Sequence, residues 1–353
     1  MYNDIVRSFD SDIHTRYVED ITERHPAKTF SMFKSEIYHE KVLYSCERIC
    51  VRNVNGLICR KSNRERPELV GFDIKAEDPR LVVCNDKVYI VFNRSRGSSL
   101  FPRCMAISLF DEWNPITLEI KNTTSSVRQK NEKNWSPFVK NNTLHFVYTF
   151  DPLVILTYDF NTKGECIVIH GPEGTFPNTE NTYLRGGSNL IPYKDDYYIG
   201  ACHSRVQGDL MWAYHTHIII MDMSCFRIVH MSKPVAFRHE TQGTFIAQGP
   251  CDRNERYRIK FIREMIFPLG RIPISEEDHI IMSPCSMYMM DGKIYMTVNI
   301  QDSITLRYEI LVNVHEFNEP KNLNAIAQVC ATDLFSKIPI KAQRKKTKAC
   351  YFA

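Results

Sequence analysis

Four consecutive residues, Glu77-Asp78-Pro79-Arg80, place two carboxylates, a rigid proline and a guanidinium at the mouth of an apolar run, Leu81-Val82-Val83. Proline fixes its own φ and disfavours the helical region for the residue before it, so an extended Asp78 is expected. A turn at Asn85-Asp86 leads into a second run, Lys87 to Phe92, which ends on Asn93-Arg94-Ser95-Arg96. One hairpin thus carries carboxylates at its start and guanidinium groups at its far end. Arg94 and Arg96 are two apart, so on an extended strand they share a face that suits a phosphate or carboxylate. Such a set fits chemistry on a sugar beside an anionic phosphate, which needs both an acid or base and a phosphate clamp. The plainer alternatives are a turn aspartate paired with a surface arginine, and a solvated basic edge strand.

The elements that must position these residues repeat along the chain. A polar turn pair followed by an alternating strand recurs at His39-Glu40, Asn85-Asp86, Asn141-Asn142, Asp195-Asp196 and Asp291-Gly292. Turn residues of this kind between apolar runs are the strongest local hairpin signal. The first four turns are spaced by about 46 to 56 residues, and the last gap is about twice as long. That gap holds a weaker copy at Arg253-Asn254, and the unit from His217 to Phe267 is expected to contain outer strands and an insertion. A period near 50 residues with a hairpin in each unit is the signature of propeller blades. The expected fold is therefore all-β, a five-bladed propeller. It is flanked by an irregular N-terminal arm at 1–36 and a basic C-terminal tail at 336–353, with the propeller at 37–335.

In a propeller, corresponding ends of the inner strands converge on one axis. Read at those ends, the third unit supplies Lys133 and Trp135 before its hairpin and Asp151 after it. The fourth supplies Arg185-Gly186-Gly187-Ser188 before and His203-Ser204-Arg205 after, and the fifth supplies Asp302. Asp78 is the candidate acid or base. Glycoside chemistry commonly needs a second carboxylate or an external nucleophile, for which Asp302 and Asp151 are the candidates. Trp135 can stack on a sugar ring or pack between blades. His203 can donate to a phosphate or a sugar hydroxyl. The Gly186-Gly187 pair brings bare backbone close to a ligand or to another blade. His215 and His217 share a strand face, but no third metal ligand accompanies them, so no metal site is assigned.

Composition narrows the class. With 353 residues and 43% hydrophobic content the chain can bury a large core, and 11% aromatic content leans towards strands. The net charge of +4 is weak and concentrates in Lys341–Lys348, a solvated tail, so no nucleic-acid partner is expected. The twelve cysteines are scattered, with Cys59, Cys84, Cys202 and Cys225 inside strand-like runs. They read as free thiols of a reducing compartment. The first twenty residues are charged and hold no apolar core, and no run of about 18 apolar residues occurs. Neither a signal peptide nor a membrane span is expected, and the location expected is the cytoplasm.

Glu77-Asp78-Pro79-Arg80, Lys133, Arg185-Gly186-Gly187, Ala201-Cys202-His203-Ser204 and Asp302 occur in an order that resembles the five-bladed enzymes of glycoside hydrolase family 130. These are the β-mannoside phosphorylases, with the related β-mannosyltransferases. The resemblance covers about residues 37 to 315. It implies an inverting enzyme in which Asp78 protonates a leaving oxygen through a sugar hydroxyl or, in synthesis, acts as base on an acceptor hydroxyl. Glu77, Arg80, Arg94, Arg96, Lys133, Arg185 and His203 would then line the substrate and phosphate sites. Where the phosphorylases carry a His-Arg-Pro element, this chain reads Phe150-Asp151-Pro152. A carboxylate there repels free phosphate and favours synthesis. The run Asn134 to Phe138 is similar to uncharacterised propeller proteins of large DNA viruses and algae, which would put a viral enzyme in the host cytoplasm. The expected activity is an inverting glycosyltransferase using a nucleotide sugar or a sugar 1-phosphate and a carbohydrate acceptor. A glycoside phosphorylase or hydrolase, and a non-catalytic glycan- or protein-binding propeller, are the alternatives. No cofactor is assigned, although a nucleotide-sugar donor would admit a divalent metal.

Overall fold

The computed structural model describes residues 13–21, 30–51, 54–63, 68–72, 76–95, 103–121, 132–172, 184–207, 212–232, 235, 282–300 and 304–313. Strand β1 (Ile13–Asp20) comes first. Blade one is β2 (Phe30–His39), β3 (Val42–Val51), β4 (Val54–Lys61) and β5 (Glu68–Phe72). Blade two is β6 (Glu77–Cys84), β7 (Lys87–Ser95), β8 (Arg103–Leu109) and β9 (Ile116–Thr117). Next comes β10 (Glu119–Lys121), then β11 (Ser136–Lys140), β12 (Thr143–Phe150), β13 (Leu153–Tyr158) and β14 (Glu165–His170). The last four form blade three, with β10 added in parallel to the outer edge of β14. Blade four is β15 (Leu184–Gly186) and β16 (Ile191–Lys194), both on β17 (Tyr197–Gln207), then β18 (Trp212–Asp222) and β19 (Arg227–Met231). Blade five is β20 (Met282–Met290), β21 (Lys293–Ile300) and β22 (Ile304–Val312). No helix occurs among the described residues, so none is long and apolar enough to cross a membrane.

All five expected turns close the first hairpin of a blade. Four put two residues in the left-handed region, at Glu40-Lys41, Asn85-Asp86, Asn141-Asn142 and Asp291-Gly292. That is the turn geometry that matches strand twist. The first turn lies one residue later than the sequence indicated. In blade four only Asp195 (φ 50°) is left-handed, and the β16–β17 register shifts beside it. Because these strands are antiparallel, the five turns mark one rim of the propeller. The other rim gathers the starts of β2, β6, β11, β15 and β20 and the ends of β3, β7, β12, β17 and β21.

Each sheet is sandwiched between two others, so apolar residues face both ways. One layer between blades two and three holds Val82, Val91, Met105, Trp135, Phe146 and Leu156. Another between blades four and five holds Ile199, Ile218, Ile220, Met287, Met296 and Leu306. Inner strands meet their neighbours through small polar side chains. Ser35 accepts from Leu81 N (3.2 Å), and Ser286 accepts from Glu36 N (2.8 Å). The Asn189 amide accepts from Met287 N and donates to Met287 O, both at 2.8 Å.

The ring closes where the sequence suggested an irregular arm. Residues 13–20 pair antiparallel with β22, from Ile13↔Val312 to Asp20↔Leu306, and supply the outer strand of blade five. The polar look of this segment reflects its place at an outer edge, where one face is wet. Arg307 of β22 fastens the closure. Its guanidinium forks onto buried Glu36 of β2, with Nη2 at 2.9 and 2.8 Å and Nε at 3.0 Å, and also pairs with Glu19 of β1. Tyr288 adds a hydroxyl donor to Glu36 at 3.1 Å. The strand β2 begins at Phe30, ahead of the expected boundary at 37, while the C-terminal tail and the insertion with Arg253-Asn254 lie outside the described residues.

Replacing Arg307 with alanine strands Glu36 as a buried carboxylate without its cation. Such a loss costs about 3–5 kcal/mol, and urea unfolding of Arg307→Ala should show a midpoint lowered accordingly.

Candidate functional site

Asp78 sits on a β-bulge. Glu77 pairs with Asn93 and Arg80 pairs with Val91, so two residues of β6, Asp78 and Pro79, oppose one residue of β7. Asp78 is not extended, as the following proline implied, but left-handed at φ 52°. The extra residue of the bulge must be absorbed locally, and proline, with no N–H, cannot carry a ladder bond there. Aspartate tolerates this region better than most residues. The bulge turns the Asp78 side chain towards β7, where the Asn93 amide donates to Oδ2 at 3.2 Å.

Glu77, next to it, is already engaged. Arg103 of β8 forks onto it, with Nη2 at 3.0 Å from Oε1 and Nη1 on Oε2, and Arg48 of β3 approaches Oε2 at 3.7 Å. Arg103 Nη1 also donates to Asn93 Oδ1 at 2.7 Å. Burial pulls the Arg103 guanidinium down, but the hydrogen bonds and charge of Glu77, with the charge of Asp78, outweigh it and hold it above the ordinary arginine value. Glu77 is thus an anchor for two arginines.

Arg80 is 2% exposed. Its Nε donates to the Gly187 carbonyl across in blade four, and its Nη1 reaches the Asp78 carbonyl at 3.3 Å. Burial lowers its pKa, and the charge of Asp78 works against that. The glycines make this crossing possible by approaching protein rather than ligand. A Cβ on Gly186 would overlap the Asn134 carbonyl of the entry to blade three, and one on Gly187 would overlap Pro284 of blade five. Arg185 pairs in register with His203. His203 is buried, and its imidazole is held well below the usual range by burial first, then by the positive fields of Arg185, Arg80 and Lys133. Its Nδ1 has no hydrogen-bond partner among the described residues, and neither does the buried Ser136 Oγ near Gly186. A carboxylate on blade two and a cationic group spanning blades two, three and four thus meet through Arg80.

The remaining candidates lie as follows. Trp135 is 1% exposed, packed edge-on against Phe146 and Tyr148, with its N–H donated to Glu132 at 3.2 Å. It is a packing residue, since neither ring face is open for a sugar. Arg94 alternates with Asn93, so it leaves the opposite face of β7 and donates to Thr117 of β9 at 2.9 Å. Asp151 forms the β12–β13 turn on the same rim as Asp78, across a cis Asp151–Pro152 bond, and burial raises its carboxyl. His217 is held between Ser204 Oγ and Ser232 O, each at 2.9 Å. Among the described residues no group of three His, Cys, Asp or Glu gathers to hold a metal. Cys225 lies in an exposed turn, not a strand. Arg96 and Asp302 lie outside the described residues.

Arg48, Asn93 and Arg103 were not among the sequence candidates. Asn93 was legible in part, since the regular register counted from the Asn85-Asp86 turn sets it opposite Asp78 itself, and the bulge shifts it opposite Glu77. Arg103 needs the next hairpin as well, whose sequence cue is Gly97-Ser98-Ser99 between two strand-like runs.

No family model matches the chain. Over 170 residues, 41% of this chain, it is 32% identical to Beta-mannosyltransferase 3 of Candida albicans, and the match spans 30% of that protein's length. Among solved structures, a glycosyl hydrolase from Bacteroides ovatus superposes with a TM-score of 0.53 at 11% identity, covering 83% of this chain and 94% of that one. A member of the GH130 family of mannoside phosphorylases, in a study of hydrolases that target β-1,2 mannosidic linkages in Candida mannan, gives 0.50 at 12% identity and covers 87% and 93%. A GDP-Man-dependent mannosyltransferase from Leishmania mexicana gives 0.50 at 10% identity and covers 91% and 98%. At such identities what is shared is the fold, the five-bladed propeller.

Two outcomes test the packing of this site. Gly186→Ala should lower stability by about 2–3 kcal/mol, because the added methyl is forced into a backbone carbonyl, read as a drop in the thermal midpoint. His203 is depressed in the folded state, so below pH 6.5, its ordinary value, the unfolded chain binds a proton that the native chain refuses. Its share of stability is present above that pH and is lost as pH falls. Unfolding free energy measured from pH 7.5 down to 5 should decline less steeply in His203→Gln than in the wild type.

Proposed function

We propose that this protein is an inverting mannosyltransferase that moves a mannosyl group from a phosphate-activated donor to a carbohydrate acceptor. The observation that carries this reading is Asp78, whose carboxylate is turned by a bulge towards Asn93 and whose main-chain carbonyl accepts from Arg80, a guanidinium that also contributes to the positive field on His203. The 32% identity to a fungal β-mannosyltransferase over part of the chain supports the sugar and the reaction class.

The chemistry divides between the two halves. Asp78 takes the proton of the acceptor hydroxyl, directly or through a neighbouring sugar hydroxyl. The acceptor oxygen then bonds to the anomeric carbon from the face opposite the donor phosphate, whose bond breaks with its electron pair on the phosphate oxygen. Arg80, Arg185 and Lys133 stabilise that developing anion, the buried Arg80 most strongly because a fixed cation away from water acts more strongly than in bulk. His203, neutral in these surroundings, offers a hydrogen bond without adding charge.

A second reading, phosphorolysis or hydrolysis of a β-mannoside, draws on the GH130 propeller structure and on Asp151 at the same rim. The burial-raised Asp151 carboxyl can activate water for hydrolysis, and it disfavours free phosphate nearby.

Incubation of the purified protein with GDP-mannose or mannose 1-phosphate and manno-oligosaccharide acceptors, with and without Mg²⁺, separates these readings. Transfer should release GDP or phosphate only in the presence of acceptor, form a product of inverted anomeric configuration by NMR, and fall about 10²–10⁴-fold in Asp78→Asn. Cleavage of β-mannosides by phosphate or water with no transfer would establish the second reading. Full activity in Asp78→Asn would overturn both.

A further inference from the structure

We infer that Asn93 and Arg103 are positioning residues for Asp78, the two middle links of a relay running from the Glu77 carboxylate through the Arg103 guanidinium and the Asn93 amide to one oxygen of the Asp78 carboxylate. The inference rests on the reading of Asp78 as the acid or base and goes one step deeper into the same site.

The need arises from the bulge. A regular strand aims each side chain by its pleat, but Asp78 lies where two residues oppose one, at φ 52°, so the ladder does not dictate its direction. Side-chain bonds must do so. Asn93 is fully buried and directly opposite Glu77, close enough for its amide to reach Asp78 Oδ2 at 3.2 Å.

An amide can present either its oxygen or its nitrogen, and here the choice is forced. Arg103 carries only donors, and its Nη1 lies 2.7 Å from the inner atom of the Asn93 amide, which must be Oδ1. Flipping the amide would set NH₂ against guanidinium and carbonyl against carboxylate, two repulsive contacts in a buried place. Arg103 therefore fixes which end of Asn93 meets Asp78. Arg103 in turn cannot turn away, because its fork is closed on both oxygens of Glu77, which Arg48 approaches from blade one. Arg80 also acts on Asp78 through its charge, with its Nη1 donating to the Asp78 main-chain carbonyl at 3.3 Å.

The consequence is an asymmetric carboxylate. Oδ2 is occupied by a donor that cannot be removed by flipping, which assigns proton exchange to Oδ1. Asn93→Asp keeps the size of the side chain and replaces the donor by an oxygen. Its kcat should fall about 10²-fold, the scale expected for a misplaced reacting group, with KM for the donor changed less than threefold and the thermal midpoint of a folded protein retained. Arg103→Lys, which keeps a donor for Asn93 Oδ1, should retain more turnover than Arg103→Gln.

A readout independent of turnover comes from protein labelled with ¹⁵N-asparagine. The Asn93 side-chain signals, identified by their loss in Asn93→Asp, should move in both Asp78→Ala and Arg103→Gln. Unchanged kcat in Asn93→Asp, or a loss shared equally by kcat and KM, would overturn the inference, as would an amide signal indifferent to Asp78. If no mannosyl donor or mannoside is turned over by the wild type, the functional reading fails, and the relay is then decided by the amide signal alone.

Discussion

The structure depends on satisfying the inner edges of its five sheets. The first strand of every blade is an edge, and an edge carries backbone N–H and C=O groups that no further strand of its sheet covers. Where those groups are buried, neighbouring blades must serve them. Ser35, Ser286 and Asn189 each lend a short polar side chain to the backbone of the next inner strand, and Leu190 N reaches the Pro137 carbonyl directly at 2.9 Å. At the Gly186 and Gly187 crossing the inner backbones lie close. Adding a Cβ at Gly186 or Gly187 already produces an overlap. The ring is held at its centre by hydrogen bonds and outside it by apolar layers between blades, and Arg307 locks the seam where β1 and β22 meet blade one.

The same constraint sets the electrostatics of the candidate site. Arg80 is one of the longest side chains near the axis and is buried with its charge. A buried guanidinium is retained only where acceptors meet it, and the Gly187 carbonyl, bare of any side chain, supplies one. Its position joins two halves that belong to different blades, the carboxylates of blade two and the basic group around His203. A propeller suits this arrangement because blades far apart in sequence deliver the same strand end to one rim.

Two neighbouring carboxylates differ sharply in their surroundings although they are adjacent in sequence. Glu77 points to two arginines and is held by them, while the Asp78 carboxylate, displaced by the bulge, accepts on Oδ2 from the Asn93 amide nitrogen. Divergence of this kind is how one short motif separates an anchor from a reacting group. The mannosyltransferase reading uses that division directly, because the anchored acid holds in place the groups that orient the reactive one.

How far each feature was legible follows from how local its cause is. The blade hairpins were visible because a two-residue turn with left-handed φ demands Asn, Asp or Gly at fixed places, and those residues recur at Asn85-Asp86, Asn141-Asn142 and Asp291-Gly292. Asp78 was visible because acid, proline and arginine side by side form an unusual local pattern. The role of β1 was not, since its partner β22 lies nearly three hundred residues away and an edge strand needs no strong pattern of its own. The conformation of Asp78 was not, because the preference of a residue before proline yielded to a bulge that exists only once β6 and β7 pair. Trp135 read as a platform or, more often, as packing, and the closing of blades two and three on it decides for packing. Turn chemistry and strand periodicity, which act within a few residues, were therefore determined by the sequence alone. Which blade covers a ring, which carbonyl meets Arg80 and which oxygen of Asp78 is occupied were decided by the tertiary structure, because those contacts join strands that only ring closure brings together.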